Sequence, residues 1–174
     1  MSFHLSGRSK KKLRGVHPSL VEVVERAIGI TTVDFGVTEG LRTLERQKNL
    51  HQQGRSRTLK SKHLTGHAVD VVAYIGSDIT WDIDYYDEIA DAFKEAATKT
   101  GVGIQWGGAW EMEDWEGENI LGGGTTRNLI EWVGSCEMAS RSYIKLRSSQ
   151  GKRPFIDGPH FNLYPVGKYP IEAL

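Results

Sequence analysis

Two stretches of the sequence bring histidine and carboxylate close together. One is Ser61-Lys62-His63-Leu64-Thr65-Gly66-His67-Ala68-Val69-Asp70, and the other, near the C-terminal end, is Asp157-Gly158-Pro159-His160. A carboxylate inside an apolar strand is costly to bury unless it is paired or binds a metal, and Asp70 stands inside such a run. Two imidazoles and one carboxylate with an open fourth position form the ligand set of a hydrolytic zinc ion, and His63, Asp70 and His160 could provide it. A single carboxylate leaves such a site net positive, able to polarise a carbonyl and to lower the pKa of bound water to about 7. That water needs a base off the metal, for which Asp157 is the best placed, in a turn just before His160. Arg42, in the turn Gly40-Leu41-Arg42-Thr43, could stabilise the oxyanion.

Taken singly, each residue has an ordinary explanation. His63 reads as a solvated loop histidine, Asp70 as a hydrogen-bonded buried acid, Asp157-Gly158 as a turn, and Arg42 as a surface cation or ion-pair partner. On residue types alone both readings stay open. A rival zinc site from His63 and His67 fails, because Leu64 stands where H-E-x-x-H requires glutamate and Gly66 interrupts the helix that motif needs. His67 is left a structural or rim role. Cys136 and the serines lie in no nucleophile setting, and there is no G-x-S-x-G and no phosphate-cradling loop.

The elements that must position these groups follow from periodicity. Apolar residues at helical spacing predict a helix over Pro18–Ile28 ended by Gly29, a second over Leu44–Gln53 capped by Thr43, and a long one over Asp82–Thr100 closed by Gly101. Strands are expected at Asp34–Thr38, His67–Ile75, Gly103–Trp106 and Pro159–Tyr164. Arg55–Lys62 is a polar, cationic loop. The stretch 111–154 reads as an insertion with one helix over Arg127–Arg147 and a glycine joint at Gly122–Gly124. Helices outlast the short strands, so the class is α+β with a small, mostly antiparallel sheet flanked by helices, and residues 1–174 read as one domain.

The chain has 174 residues, with 22 Lys+Arg against 22 Asp+Glu. That balance argues against a nucleic-acid binder. One cysteine cannot form an internal disulfide, and no apolar run reaches the roughly 20 residues of a membrane span. The basic opening segment has no apolar stretch behind it, so no secretory signal or membrane anchor is expected. Charge is nevertheless uneven. Arg8, Lys10, Lys11, Lys12 and Arg14 read as a solvated leading segment, or as a weak hold on an anionic envelope. Glu111, Glu113, Asp114, Glu116 and Glu118 read as a solvated loop whose carboxylates could instead take a regulatory Ca2+, although EF-hand spacing is lacking.

Ser61-x-His63-x-x-Gly66-x-Ala68-x-Asp70 with Asp157-x-Pro159-His160-Phe161 resembles the signature of the zinc D-alanyl-D-alanine carboxypeptidase and L-alanyl-D-glutamate endopeptidase family. Gly15-Val16-His17-Pro18, Asp34-Phe35 and Glu39-Gly40-Leu41-Arg42-Thr43 are similar to the compact phage endolysins of that family. So is Trp106-Gly107-Gly108-Ala109-Trp110, with Ala109 in the place of an acid. The resemblance implies a zinc site of the Hedgehog and D-Ala-D-Ala-peptidase type. His63, Asp70 and His160 would be its ligands, Asp157 its general base, and Arg42 and Ser61 substrate-positioning or transition-state residues. It also implies peptidoglycan stem peptides as substrate, and a monomer made in the host cytoplasm and released to the wall by a holin. A carboxypeptidase removing terminal D-alanine, and a non-catalytic wall-binding module with a structural metal, are the competing readings.

Overall fold

The computed structural model describes residues 2–114 and 124–171. Among the described residues, five α-helices, α1 (Gly7–Lys12), α2 (Pro18–Ile30), α3 (Leu44–Gln52), α4 (Ile83–Thr100) and α5 (Cys136–Ser149), surround a sheet of β1 (Asp34–Glu39), β2 (Ala68–Ile75), β3 (Asp78–Thr80), β4 (Ile104–Trp106) and β7 (His160–Leu163). A separate two-stranded ribbon joins β5 (Met112–Glu113) to β6 (Thr125–Thr126). Every pairing is antiparallel, in the order β1-β2-β7-β4. The long strand β2 shares one edge between two partners, its first half with β7 and its second with the β3 hairpin. The expected class and sheet are therefore present.

One apolar cluster lies between the sheet and the helices. Leu20, Val23, Val24 and Ala27 of α2 face Ile89, Phe93, Ala96 and Ala97 of α4. Phe93 stacks on Phe161 of β7 at 3.9 Å between ring centroids, which fixes α4 across the strand carrying His160. Removing a buried phenylalanine ring from such a stack costs about 3–5 kcal/mol. Tyr86 ties β3 to the same layer, donating from its hydroxyl to Thr80 O and accepting from Ala73 N.

Some element bounds and one whole segment differ from the periodicity. α2 runs through Gly29 to Ile30 and ends where Thr31 N–H donates to Ala27 O. The late helix begins at Cys136 rather than Arg127, because Ser135 caps it by accepting from Met138 N, while 129–131 forms a single 3-10 turn. The basic leader is a helix: its cations are exposed, but Leu5, Leu13 and Val16 enter the core, and Ser9 Oγ accepts from Val37 N of β1 at 3.0 Å. The stretch 111–154 also contributes to the core, through Leu129, Trp132, Cys136, Ala139 and Tyr143.

Candidate metal centre and cleft

Strand register builds two-thirds of the centre. Asp70 on β2 and His160 on β7 are direct cross-strand partners, and His160 Nδ1 stands 3.1 Å from Asp70 Oδ1. His63 comes from the 3-10 turn Lys62–Thr65 just before β2. Gly66 at φ 72° turns the chain back, and a Cβ there would lie 2.3 Å from Gly15 O, so only glycine fits. His63 Nε2 thereby reaches 3.2 Å from the same Asp70 Oδ1. The three donor atoms all lie within 4.8 Å of one another.

The outer ring nitrogens decide what the inner ones present. His63 Nδ1 lies 2.8 Å from Gly40 O, a carbonyl that only accepts, so this nitrogen carries the proton. His160 Nε2 lies 3.0 Å from Asn162 Oδ1, whose amide nitrogen is occupied in donating to Leu163 O. Both rings in their neutral form therefore turn lone pairs toward a carboxylate oxygen. Three acceptors converging on one point are satisfied by added protons or by a cation. The donor set and its anchored orientation fit a divalent metal.

The charges around the centre are tightly bonded. Glu39 lies opposite Asp70 in the β1–β2 register, a like-charge pair that would be destabilising alone. Arg42, 9% exposed, lies between them. Its Nη2 donates to Glu39 Oε2 at 2.7 Å and reaches Asp70 Oδ2 at 3.5 Å, while Nη1 donates to Gln47 Oε1. Burial pushes the Asp70 carboxyl up, but where added protons fill that convergence, hydrogen bonds from His160 and His63 outweigh it and hold the group well below the usual carboxylate range. The acid stays ionised, as a ligand must.

Asp157 lines the same cleft, a concavity of about 610 Å³. Its turn is clamped from the β4 end. Asp157 N donates to Gly107 O, Gly107 N donates to His160 O, and Trp106 Nε1 donates to Gly158 O at 2.8 Å. A Cβ on Gly107 would lie 2.2 Å from Asp157 O, so the close approach requires glycine. Burial raises the Asp157 pKa, and the Asp70 charge adds to that while His160, His63 and Arg42 oppose it. Ser61 also lines the cleft and caps the His63 turn, its Oγ accepting from His63 N.

Residues 1–131 match the model of the family described as phage L-alanyl-D-glutamate peptidase. The chain belongs to that family. Over 114 residues this family member is 33% identical to the L-alanyl-D-glutamate peptidase of Escherichia phage T5, covering 63% of this chain and 83% of that protein. It is 34% identical over 78 residues to the L-alanyl-D-glutamate peptidase of Listeria phage A118, covering 45% of this chain and 27% of that protein. The crystal structure of the Serratia marcescens L-Ala D-Glu endopeptidase ChiX superposes with a TM-score of 0.66 at 34% identity, covering 97% of this chain and 96% of that one. Asp157 and His160 lie beyond the stretch matched by the family model, but the likeness to ChiX extends over nearly the whole chain.

In this peptidase the fold brings His63, Asp70, His160, Asp157, Arg42 and Ser61 to one cleft. His67 is structural: it is buried, with Nδ1 at Thr65 Oγ1, Nε2 at Tyr169 O and its ring stacked on His17. Ala109 is wholly buried beside Trp106. The acidic run offers no calcium cage among the described residues, where the only metal-sized grouping is the His63 trio. Glu111 pairs with Arg127, Glu113 sits in the small ribbon, and Glu116 and Glu118 lie outside the described residues. Gly122 and Gly123 of the expected joint do too. Asn162 and Glu39 are further site residues that a reading by residue type passes over. Asn162 had a signal, since it follows His160 by two and so shares its strand face.

Proposed function

We propose that the chain hydrolyses the L-alanyl-D-glutamate bond of peptidoglycan stem peptides, with one zinc ion held by His63 Nε2, Asp70 Oδ1 and His160 Nδ1. The observation that carries this is the convergence of three anchored acceptor atoms in a cleft edged by Asp157, in a chain of this family. When bound, zinc supplies a Lewis acid that polarises the scissile carbonyl and acidifies a water. Asp157 takes one proton from the attacking water as its oxygen bonds to the carbonyl carbon. As the C–N bond breaks, Asp157 returns that proton to the departing amine. Its raised basicity suits both transfers.

Arg42 has two roles in this reading. It holds Asp70 Oδ2, leaving Oδ1 for the metal, and it places a fixed cation beside the carbonyl oxygen where negative charge develops. The Ser61 hydroxyl, whose lone pair already caps the His63 turn, keeps its proton to donate to a substrate carbonyl. The zinc identity rests on the two-imidazole, one-carboxylate donor set. The biological role that fits is lysis of a bacterial wall by a monomer folded as a single domain and released from the host cytoplasm by a holin; no helix among the described residues is long and apolar enough to cross a membrane.

Mass spectrometry of muropeptides digested by the zinc-loaded chain tests the bond. Release of fragments ending at L-alanine is expected, and chelation should abolish it. Loss of a terminal D-alanine instead would make the enzyme a carboxypeptidase. Binding to purified wall without any release would leave it a non-catalytic module.

A further inference from the structure

Six cations line the cleft, Arg42, Arg46, Arg55, Arg57, Lys60 and Lys62, against three carboxylates, Glu39, Asp70 and Asp157, in a chain of zero formal net charge. Three of the six are already engaged. Arg42 and Arg46 hold Glu39, and Lys62 Nζ donates to Gln105 Oε1 at 2.9 Å. Arg55, Arg57 and Lys60 have no acidic partner among the described residues. All three sit on the loop between α3 and the His63 turn.

A solvated charge run needs no anchoring, yet this loop is fixed at both sides. Gln47 Nε2 donates to Ser56 Oγ at 2.9 Å and to Thr58 O at 2.6 Å, and Gln47 also accepts from Arg42. Across the cleft, the Arg57 guanidinium stands 4.3 Å above the centre of the Phe155 ring. Phe155 stacks on Trp110, and Trp110 packs against the His160 ring. A continuous line of contacts thus sets Arg57 relative to His160 and fixes the loop that also carries Arg55 and Lys60, inside a concavity where fields from like charges add.

We propose that Arg55, Arg57 and Lys60 form a wall that recognises a free carboxylate on the glutamyl residue of the stem peptide and discriminates against the carboxamide. The inference rests on the L-alanyl-D-glutamate reading above. Glutamate has two carboxyl groups, and the one not used in the onward peptide link is an anion at neutral pH unless it is amidated. A guanidinium fork meets a carboxylate with two parallel charge-assisted hydrogen bonds. A carboxamide offers one acceptor and sets an NH2 against N–H donors, so it loses both charge and pairing.

The test uses the zinc-loaded full chain and two synthetic stem peptides that differ only in that carboxylate or carboxamide. The free acid should be cleaved with a kcat/KM about tenfold to a hundredfold higher, mainly through KM, and the preference should shrink as salt rises. In the triple variant Arg55→Gln, Arg57→Gln, Lys60→Gln, all exposed positions, the ratio should fall toward one. Equal cleavage of both peptides by the wild-type chain, a result that needs no variant, would overturn the wall while leaving the bond assignment standing. So would a preference that persists in a folded triple variant. Failure to cut either peptide at that bond would remove both readings together.

Discussion

Asp70 on the cleft floor and Asp87 in the seam between α4 and α5 are both largely withdrawn from water, yet their surroundings act on them in opposite directions. Two imidazoles converge on Asp70 and hold its carboxyl below the usual range, and Arg42 Nη2 stands 3.5 Å from its other oxygen. Asp87 is 8% exposed, its Oδ1 has no hydrogen-bond partner, and burial together with Asp84, Glu137 and Asp91 pushes it up to about 7. Desolvation is common to both. What separates them is whether positive groups and donors meet on the carboxylate. A raised pKa in a buried acid therefore does not by itself mark a site. Convergence of partners from different strands and turns does.

Breaking the first region should give the largest effects. Asp70→Ala removes one of the three proposed zinc ligands and leaves Arg42 without one of its two acids. We expect zinc content near zero and hydrolysis lowered by at least about a thousandfold, read by metal analysis and muropeptide release. Asp157→Ala should lower kcat by roughly 10²–10⁴ while zinc content stays near one per chain. Wild-type turnover in that variant would show that another group takes the proton. Asn162→Ala frees the outer nitrogen of His160, and zinc affinity measured by competition with a chelator should weaken by about 10–100-fold.

The second region sharpens the contrast by a smaller, opposite effect. The fold favours the protonated Asp87, so between about pH 4, where the unfolded chain ionises, and about pH 7, stability falls as pH rises. The full penalty then persists above pH 7. Asp87→Asn should remove it. Melting temperatures should rise in the variant at pH 8, by an amount on the order of 2 kcal/mol of stability, and the gain should shrink toward pH 5 with no loss of hydrolysis. A destabilised variant at pH 8 would mean that the carboxylate has a partner there after all.

The convergence of His63, Asp70 and His160 is legible in the sequence because they sit in two short motifs whose residue types have few other joint uses. Asp70 is anomalous in an apolar strand, and Gly66 marks the turn that returns His63. Helix ends with local caps are legible for the same reason, Thr43 and Gly101 among them. The N-terminal helix was hidden because Gly-Arg-Ser-Lys-Lys-Lys has no apolar stripe; its order comes from Ser9 bonding to β1 and from Leu5 and Leu13 outside the charged run. The clamp from Gly107 to Asp157 depends on β4 pairing with β7, a contact between segments far apart in the chain. The dual hold of Arg42 on Glu39 and Asp70 likewise depends on the β1–β2 register.

Diffraction from a crystal grown with zinc, measured on either side of the zinc absorption edge, tests the central claim most directly. One anomalous peak within bonding distance of His63 Nε2, Asp70 Oδ1 and His160 Nδ1, with Asp157 beside it and off the metal, is the expected result. A peak elsewhere, or Asp157 completing the ligand set in place of one of the three, would contradict it.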